Sequence, residues 1–346
     1  MKEFGSDFHE VPLSYSYNGI SVIDLYPDSY LLASGRQCLI ALIKANHWKK
    51  IWIPDYYCYT VIESIKSYTN IEIRYYKDNI LHESPDICGI DYHNDDAILV
   101  MNFFGIRNKQ TYSDIKCTII EDHSHSIYSP WATNSEADWC FSSLRKTLPI
   151  PVGGILWSPK KHILNVDPPL TNDTRTISRS RWRAMRLKRD YLSGYPVDKQ
   201  HFLHLFRATE EQFDYNHEIS SVDPKTRKVI DEFDIVRWSE QKKRNWKLLK
   251  GSIESTVLDL QTENSIPFSL CLLVDNRELR DQIREELIRE DIYPAILWKL
   301  PPTASTESRK ISETMLSIHC DARYSEEDIQ IMSKKINQVI NNHKTR

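Results

Sequence analysis

With 346 residues, 40% of them hydrophobic and 27% charged, the chain has the make-up of a globular protein and the length for one large domain plus a smaller one. Its 45 Lys and Arg nearly balance 48 Asp and Glu, so no global charge draws it to nucleic acid or to an anionic membrane. No apolar run approaches spanning length, and the opening MKEFGSDFHEVPLS lacks the apolar stretch of a signal peptide, which makes the cytoplasm the expected location and leaves membrane and nucleic acid out as partners.

Taken in chain order, GRQCLIALIKANHW (35–48) sets Leu39, Ile40, Leu42 and Ile43 at helical spacing and predicts a buried helix opened by Ser34, Gly35 and Arg36. KKIWIP (49–54) predicts a strand and YTVIESIKSY (59–68) a second helix. Further strands are expected at IEIRYY (71–76), DAILVMNFF (96–104), KCTIIED (116–122), ADWCFSS (137–143) and GGILWS (153–158). Strands alternating with helices imply an α/β fold, a largely parallel sheet covered on both faces. From about 172 to 250 the pattern is helical and highly charged. IPFSLCLLVD (266–275) is an expected strand, RELRDQIREELIRED (277–291) an amphipathic helix, and ETMLSIHCDARYSEEDIQIMSKKINQVINN (313–342) a strand followed by a helix. That tail is α+β in character. It predicts a large α/β domain over 1–240 and a smaller C-terminal one over 241–346.

Seven cysteines (38, 58, 88, 117, 140, 271 and 320) are scattered, without a CxxC pair, and several lie in apolar runs; they are expected to be reduced core residues. His123 and His125 form an HxH pair that on a strand would face one way, but no third ligand of suitable type is near in sequence, and no metal site is expected. There is no GxGxxG, GxxxxGK[ST] or GxSxG, which argues against dinucleotide, P-loop and serine-hydrolase sites. The basic stretch from Arg175 to Arg189 is expected to be a solvated helix face with Trp182 and Met185 on its one buried stripe.

In open parallel sheets, ligands gather beyond the carboxyl ends of the strands. Asp122 follows CTII, Asn102 and Gly105 follow AILVM, and Ser142 and Ser143 follow DWCF, so polar groups mark one rim. A carboxylate there can hold a cationic ring nitrogen. Lys146, 24 residues later, can condense with an aldehyde, and the serines before it can meet a phosphate together with the helix N-terminus at Gly35. These are the demands of pyridoxal 5'-phosphate.

The ordered set SGR, IPDYYCYT, VMNFFGI, IIEDHSHS, FSSLRK and GG resembles the fold-type-I pyridoxal-phosphate enzymes, in particular the DegT/DnrJ/EryC1/StrS sugar aminotransferases. The likeness covers roughly 30–160 and returns at LSIHCDARYSEEDI. It implies an aspartate-aminotransferase-like large domain, mainly parallel, with a smaller α+β domain. It further implies that Lys146 is the Schiff-base lysine and proton shuttle and that Asp122 pairs with the pyridine nitrogen. His125 would bond the phenolic oxygen, and Gly35, Arg36 and Ser142 the phosphate. The lysine segment is one residue shorter than the family's, so Ser143 is the alternative to Ser142. Tyr57 is the expected stacking aromatic, with Tyr56 and Tyr59 as alternatives. The family threonine after the phosphate-loop glycine is Arg36 here, and no segment matches the one that reaches into a partner's site. The activity implied is transfer of an amino group from an amino acid to a keto-sugar, nucleotide-linked, for surface polysaccharide or related sugar synthesis, in a homodimer. The alternative is a non-catalytic relative of the same fold serving as a binding protein.

Overall fold

The computed structural model describes residues 2–12, 19–215, 218–254 and 265–344. The run Ala97–Met101 is buried at every position, as a strand must be when both faces of its sheet are covered. It is β5 of a seven-stranded sheet that also contains β2 (Tyr30–Leu32), β3 (Lys50–Pro54), β4 (Glu72–Tyr76), β6 (Thr118–Asp122), β7 (Trp139–Ser143) and β8 (Gly154–Trp157). The spatial order is β2-β8-β7-β6-β5-β3-β4. Only β8 runs against its neighbours; the other pairings are parallel.

Helices α2 (Gly35–Asn46) and α3 (Tyr59–Tyr68) bury Leu39, Leu42, Ile62 and Ile65 on one face. The other face is covered by α5 (Asn172–Leu192), α6 (Lys199–Tyr215), α7 (Pro224–Glu232) and the start of α8 (Ile235–Ser252), through Trp182, Phe202, Val229 and Trp238. Short α1 (Val22–Leu25) and α4 (Pro130–Thr133) lie between. A third core joins the end of α8 to the antiparallel pair β9 (Leu270–Leu273) and β11 (Met315–Ile318), with α9 (Arg277–Arg289) and α11 (Glu326–Lys344). Helix α10 (Thr306–Thr314) precedes β11, and β1 (Phe4–Gly5) pairs in parallel with β10 (Ile292–Tyr293). No described helix is long and apolar enough to cross a membrane.

Two expectations need correction. A boundary after residue 240 falls inside α8, whose Trp238 packs in the large core and whose Trp246 and Leu249 pack in the small one. One continuous helix therefore belongs to both units, and residues 4–5 join the C-terminal one through β1. The strand predicted over 96–104 stops at Met101, because Phe104 (φ +53°) and Gly105 (φ +66°) turn the chain through the left-handed region. A Cβ at Gly105 would lie 2.5 Å from the Ile266 carbonyl oxygen, so this turn requires glycine. The basic helix is also less solvated than its composition suggests. Arg181 and Lys188 are buried, the first bonded to Asp7 and Glu210, the second to the Asp7 carbonyl.

Candidate active site

Because β5, β6 and β7 are parallel, Asn102, Asp122 and Ser143 share one rim. The buried Asp122 carboxylate accepts hydrogen bonds from the Tyr57 hydroxyl at 2.6 Å and the Ser124 amide at 2.8 Å. Burial, with Asp122 beside it, pushes the Tyr57 phenol well above its ordinary range, so it stays a donor. The Ser124 hydroxyl in turn accepts from the Ser143 amide at 3.0 Å, which ties the turns after β6 and β7 together.

After a tight turn closed by the Ser126 amide on the His123 carbonyl, the chain delivers His125 to the same rim. Its ring stacks on Phe268 at 4.5 Å and on Trp298 at 5.4 Å. Burial, and then the charges of Lys146 and Lys242, hold it well below the usual histidine range, so it is neutral. Nδ1 accepts from the Phe104 amide at 2.9 Å, and in a neutral imidazole the other nitrogen then carries the proton. Nε2–H therefore points a donor at the space in front of Lys146, whose Nζ lies 3.5 Å away. Lys146 sits in the turn after β7, 5.4 Å from the centre of the Trp298 ring, and that ring is 6.1 Å from Tyr57. A run of contacts thus leads from the amine to the acid: Lys146 to His125 and Trp298, Trp298 to Tyr57, and Tyr57 to Asp122.

Helix α2 is capped by the Ser34 hydroxyl, which accepts from the Gln37 amide. A Cβ at Gly35 would lie 3.0 Å from the Ser143 nitrogen, and one at Gly154 2.2 Å from the Ser34 carbonyl carbon. Glycine at both positions lets three backbones meet at the start of the helix. Of the two candidate serines, Ser142 is fully buried and donates to the His123 carbonyl at 3.1 Å, whereas Ser143 stands next to Gly35 and is partly exposed. The Arg36 guanidinium turns away, to the Phe213 carbonyl, Thr60 and Asp214, so only its backbone lies at the helix start. Tyr56 donates to the Leu297 carbonyl, and Tyr59 stacks on Tyr75.

Two buried side chains beside the acid and the imidazole are left unsatisfied. Asn102, whose backbone amide bonds the Asp122 carbonyl, has among the described residues no partner for its side-chain oxygen or nitrogen, and the Ser126 hydroxyl has none there either. Buried polar atoms are seldom left so. Together with the acid and the primary amine they fit a polar heteroaromatic aldehyde such as pyridoxal phosphate.

No family model and no curated protein matches the sequence. Solved structures do, along nearly the whole chain. Spr1654 from Streptococcus pneumoniae, assigned to sugar aminotransfer, matches in its PLP-form at 12% identity, over 98% of this chain and 93% of that one, with a TM-score of 0.62. Helicobacter pylori PseC, an aminotransferase involved in the biosynthesis of pseudoaminic acid, matches at 10% identity over 99% and 100%, with a TM-score of 0.61. A DegT DnrJ EryC1 StrS aminotransferase from Brucella abortus matches at 12% over 90% and 85%, at 0.58. This chain has the sugar-aminotransferase fold.

On that fold, several residues near the rim escaped the motif reading. Trp298 lies in a proline-flanked segment with no helical or strand period, and Phe268 follows Pro267 just before β9. Only long-range packing brings either to His125. Lys242 shares a stripe with Trp238, Asn245 and Leu249 on α8, a spacing that was available as a signal within the charged run. Arg145 neither reaches Lys146 nor points to solvent; it pairs with Glu210 on α6 at 2.9 Å. The HxH pair is split, since β6 ends at Asp122. His123 turns inward to Glu121 at 2.8 Å and to the Trp131 and Trp157 rings, while His125 stays at the rim. Glu121, His123 and Cys140 are the one group of three potential metal ligands among the described residues. One Glu121 oxygen already accepts from Tyr112 and Trp131.

Proposed function

We propose that the chain is a pyridoxal-phosphate-dependent aminotransferase that moves an amino group from an amino acid to a nucleotide-linked keto-sugar. What supports this reading is the run of contacts at the carboxyl rim of the sheet, with Lys146 Nζ 3.5 Å from the neutral His125, both against Trp298, and Trp298 against the Tyr57 that donates to Asp122. Asp122 would hold the ring nitrogen, His125 Nε2–H the phenolic oxygen, and Gly35, Arg36 and Ser143 the phosphate, the first two through backbone amides. Bound there, the cofactor supplies an aldehyde to carry the amino group and a ring that accepts electrons. Lys146 would hold the cofactor through its amine and serve as the group that moves a proton, its Nζ lying 3.5 Å from His125 Nε2. Asp122 is kept in place by Tyr57 and Ser124, and Phe268 and Trp298 fix the plane of the imidazole.

The second reading, a binding protein on the same fold, draws support from Tyr57 already bonded to Asp122 and from Trp298 standing over Lys146. Absorbance separates the two. Protein incubated with pyridoxal phosphate should turn yellow, and borohydride should bleach the colour and fix the cofactor mass to the peptide that contains Lys146. Lys146→Ala should abolish both effects. Wild-type protein that stays colourless and unlabelled sinks the enzymatic reading.

A further inference from the structure

Beyond Lys146 lies a cavity of about 640 Å³ between the two units, reaching from Phe8 to Phe268 and the end of β11. Most charges on its wall are matched. Arg145 and Arg181 pair with Glu210, Arg181 also with Asp7, and Arg323 grips Asp321 with two bonds at 2.8 Å. Lys146, Arg207 and Lys242 have no ion pair among the described residues, and of these three Lys242 alone is buried. It is 3% exposed, lines the cavity, and makes no hydrogen bond or ion pair among the described residues; the Phe268 ring lies 5.1 Å from Nζ, and Asp321, already gripped by Arg323, acts on it only through space. A buried ammonium without a counter-ion is costly, and a chain keeps one where something else neutralises it. Burial pulls it down only to about 8, so it is largely charged at pH 7. His319, also on the wall, is pushed down to about 4 and is neutral there, able to give a hydrogen bond without competing for an anion's charge. The other face of this corner is Phe268, which stacks on His125, so the ammonium stands one ring away from the imidazole at Lys146.

We propose that Lys242 is the anchor of an anion subsite, which with His319 binds a carboxylate or phosphate of the substrate and aims its other end at Lys146. That direction rests on the reading of Lys146 as the reacting amine; the subsite itself does not. The anion belongs either to the amino donor, as a second carboxylate, or to the acceptor, as a phosphate. Arg145, Arg181 and Arg323 around it are already paired with Glu210, Asp7 and Asp321.

Titration calorimetry tests this on the whole protein with two probes that cannot react, glutarate and inorganic pyrophosphate. One of them should bind wild type, and Lys242→Met should weaken it at least tenfold, while Lys242→Arg restores most of the affinity. Glutarate sensitivity places the donor there, pyrophosphate sensitivity the acceptor. Lys242→Met should melt no lower than wild type, since it removes an unpaired buried charge, and Lys242→Gln serves as a second neutral variant if it does not fold. Equal binding to wild type and to the neutral variants, or no binding of either probe to wild type at millimolar concentration, overturns the proposal. Bleachable yellow colour in Lys242→Met shows that the cofactor reading survives such a failure. Probe binding through Lys242 in a colourless wild type shows the reverse.

Discussion

Arg107 is the sharpest test of how the rim is built. Its guanidinium and the Asp78 carboxylate are both completely buried and meet through two bonds at 2.6 and 2.9 Å. The remaining donors reach the carbonyls of Asn79 at 2.9 Å, Met101 at 3.0 Å and His82 at 3.0 Å. The arginine thus clamps the end of β5, one residue before Asn102, to the segment after β4. Arg107→Met keeps most of the volume but leaves Asp78 charged in the interior, with His82 at 3.5 Å as its one remaining cationic neighbour among the described residues. Breaking one side of a buried pair costs about 3–5 kcal/mol. With an unfolding entropy of about 2.1 cal/mol/K per residue, that loss lowers Tm by roughly 5 °C if the chain melts as a unit. Urea melts followed by circular dichroism, with calorimetry beside them, measure it. Combining the change with Asp78→Asn should recover much of the loss, because the stranded charge is gone. A single variant within about 1 kcal/mol of wild type, or a double variant no better than the single, would refute the account of the pair as a mutual necessity.

Three other outcomes follow from the same geometry. Arg323 holds the Asp321 carboxyl down at about 2, against about 3.9 in an unfolded chain. A depressed folded value means the stabilisation is complete above pH 4 and disappears as the pH falls from about 4 to 2, so acid titration should show this limb flattened in Asp321→Asn. Gly154→Ala would drive a Cβ to 2.2 Å from the Ser34 backbone, which no side-chain rotation can relieve, and it should abolish soluble expression or weaken pyridoxal phosphate binding at least tenfold in a dialysis assay. Tyr57→Phe takes one donor from the buried Asp122 and should cost about 1–2 kcal/mol in a urea melt; an unchanged midpoint would mean that water replaces the hydroxyl.

The parallel sheet was legible because its central strands are apolar on both faces, so runs such as AILVM and CTII stand out without alternation. Tyr59–Tyr68 was legible because a helix of ten residues shows nearly three turns of pattern. Elements of two or three residues, Tyr30–Leu32 and Ile292–Tyr293 among them, carry no period to read, and the partners of these two lie more than a hundred residues away. At the rim, Asp122 and Lys146 were candidates because they stand just after strand ends, and His125 because of the motif it resembles; all three read from one short stretch of chain. The choice between Ser142 and Ser143 could not be read there, since it depends on which of them meets Gly35 across the sheet. Arg36 misleads for the same reason: its neighbours in sequence say nothing of Asp214, which draws the side chain away.

The pairing of Phe4 and Gly5 with Ile292 and Tyr293 has a bearing on synthesis. During translation, the first strand waits while nearly three hundred residues emerge, and only then finds its mate. Until that moment the large sheet can assemble with its leading segment dangling, and a ribosome stalled before residue 290 would leave Phe4 without its berth. A protease present during translation should therefore cut within residues 2–5 until late, because Asp7 and Glu10 are already held by α5, and the time at which this short segment becomes resistant marks completion of the smaller unit.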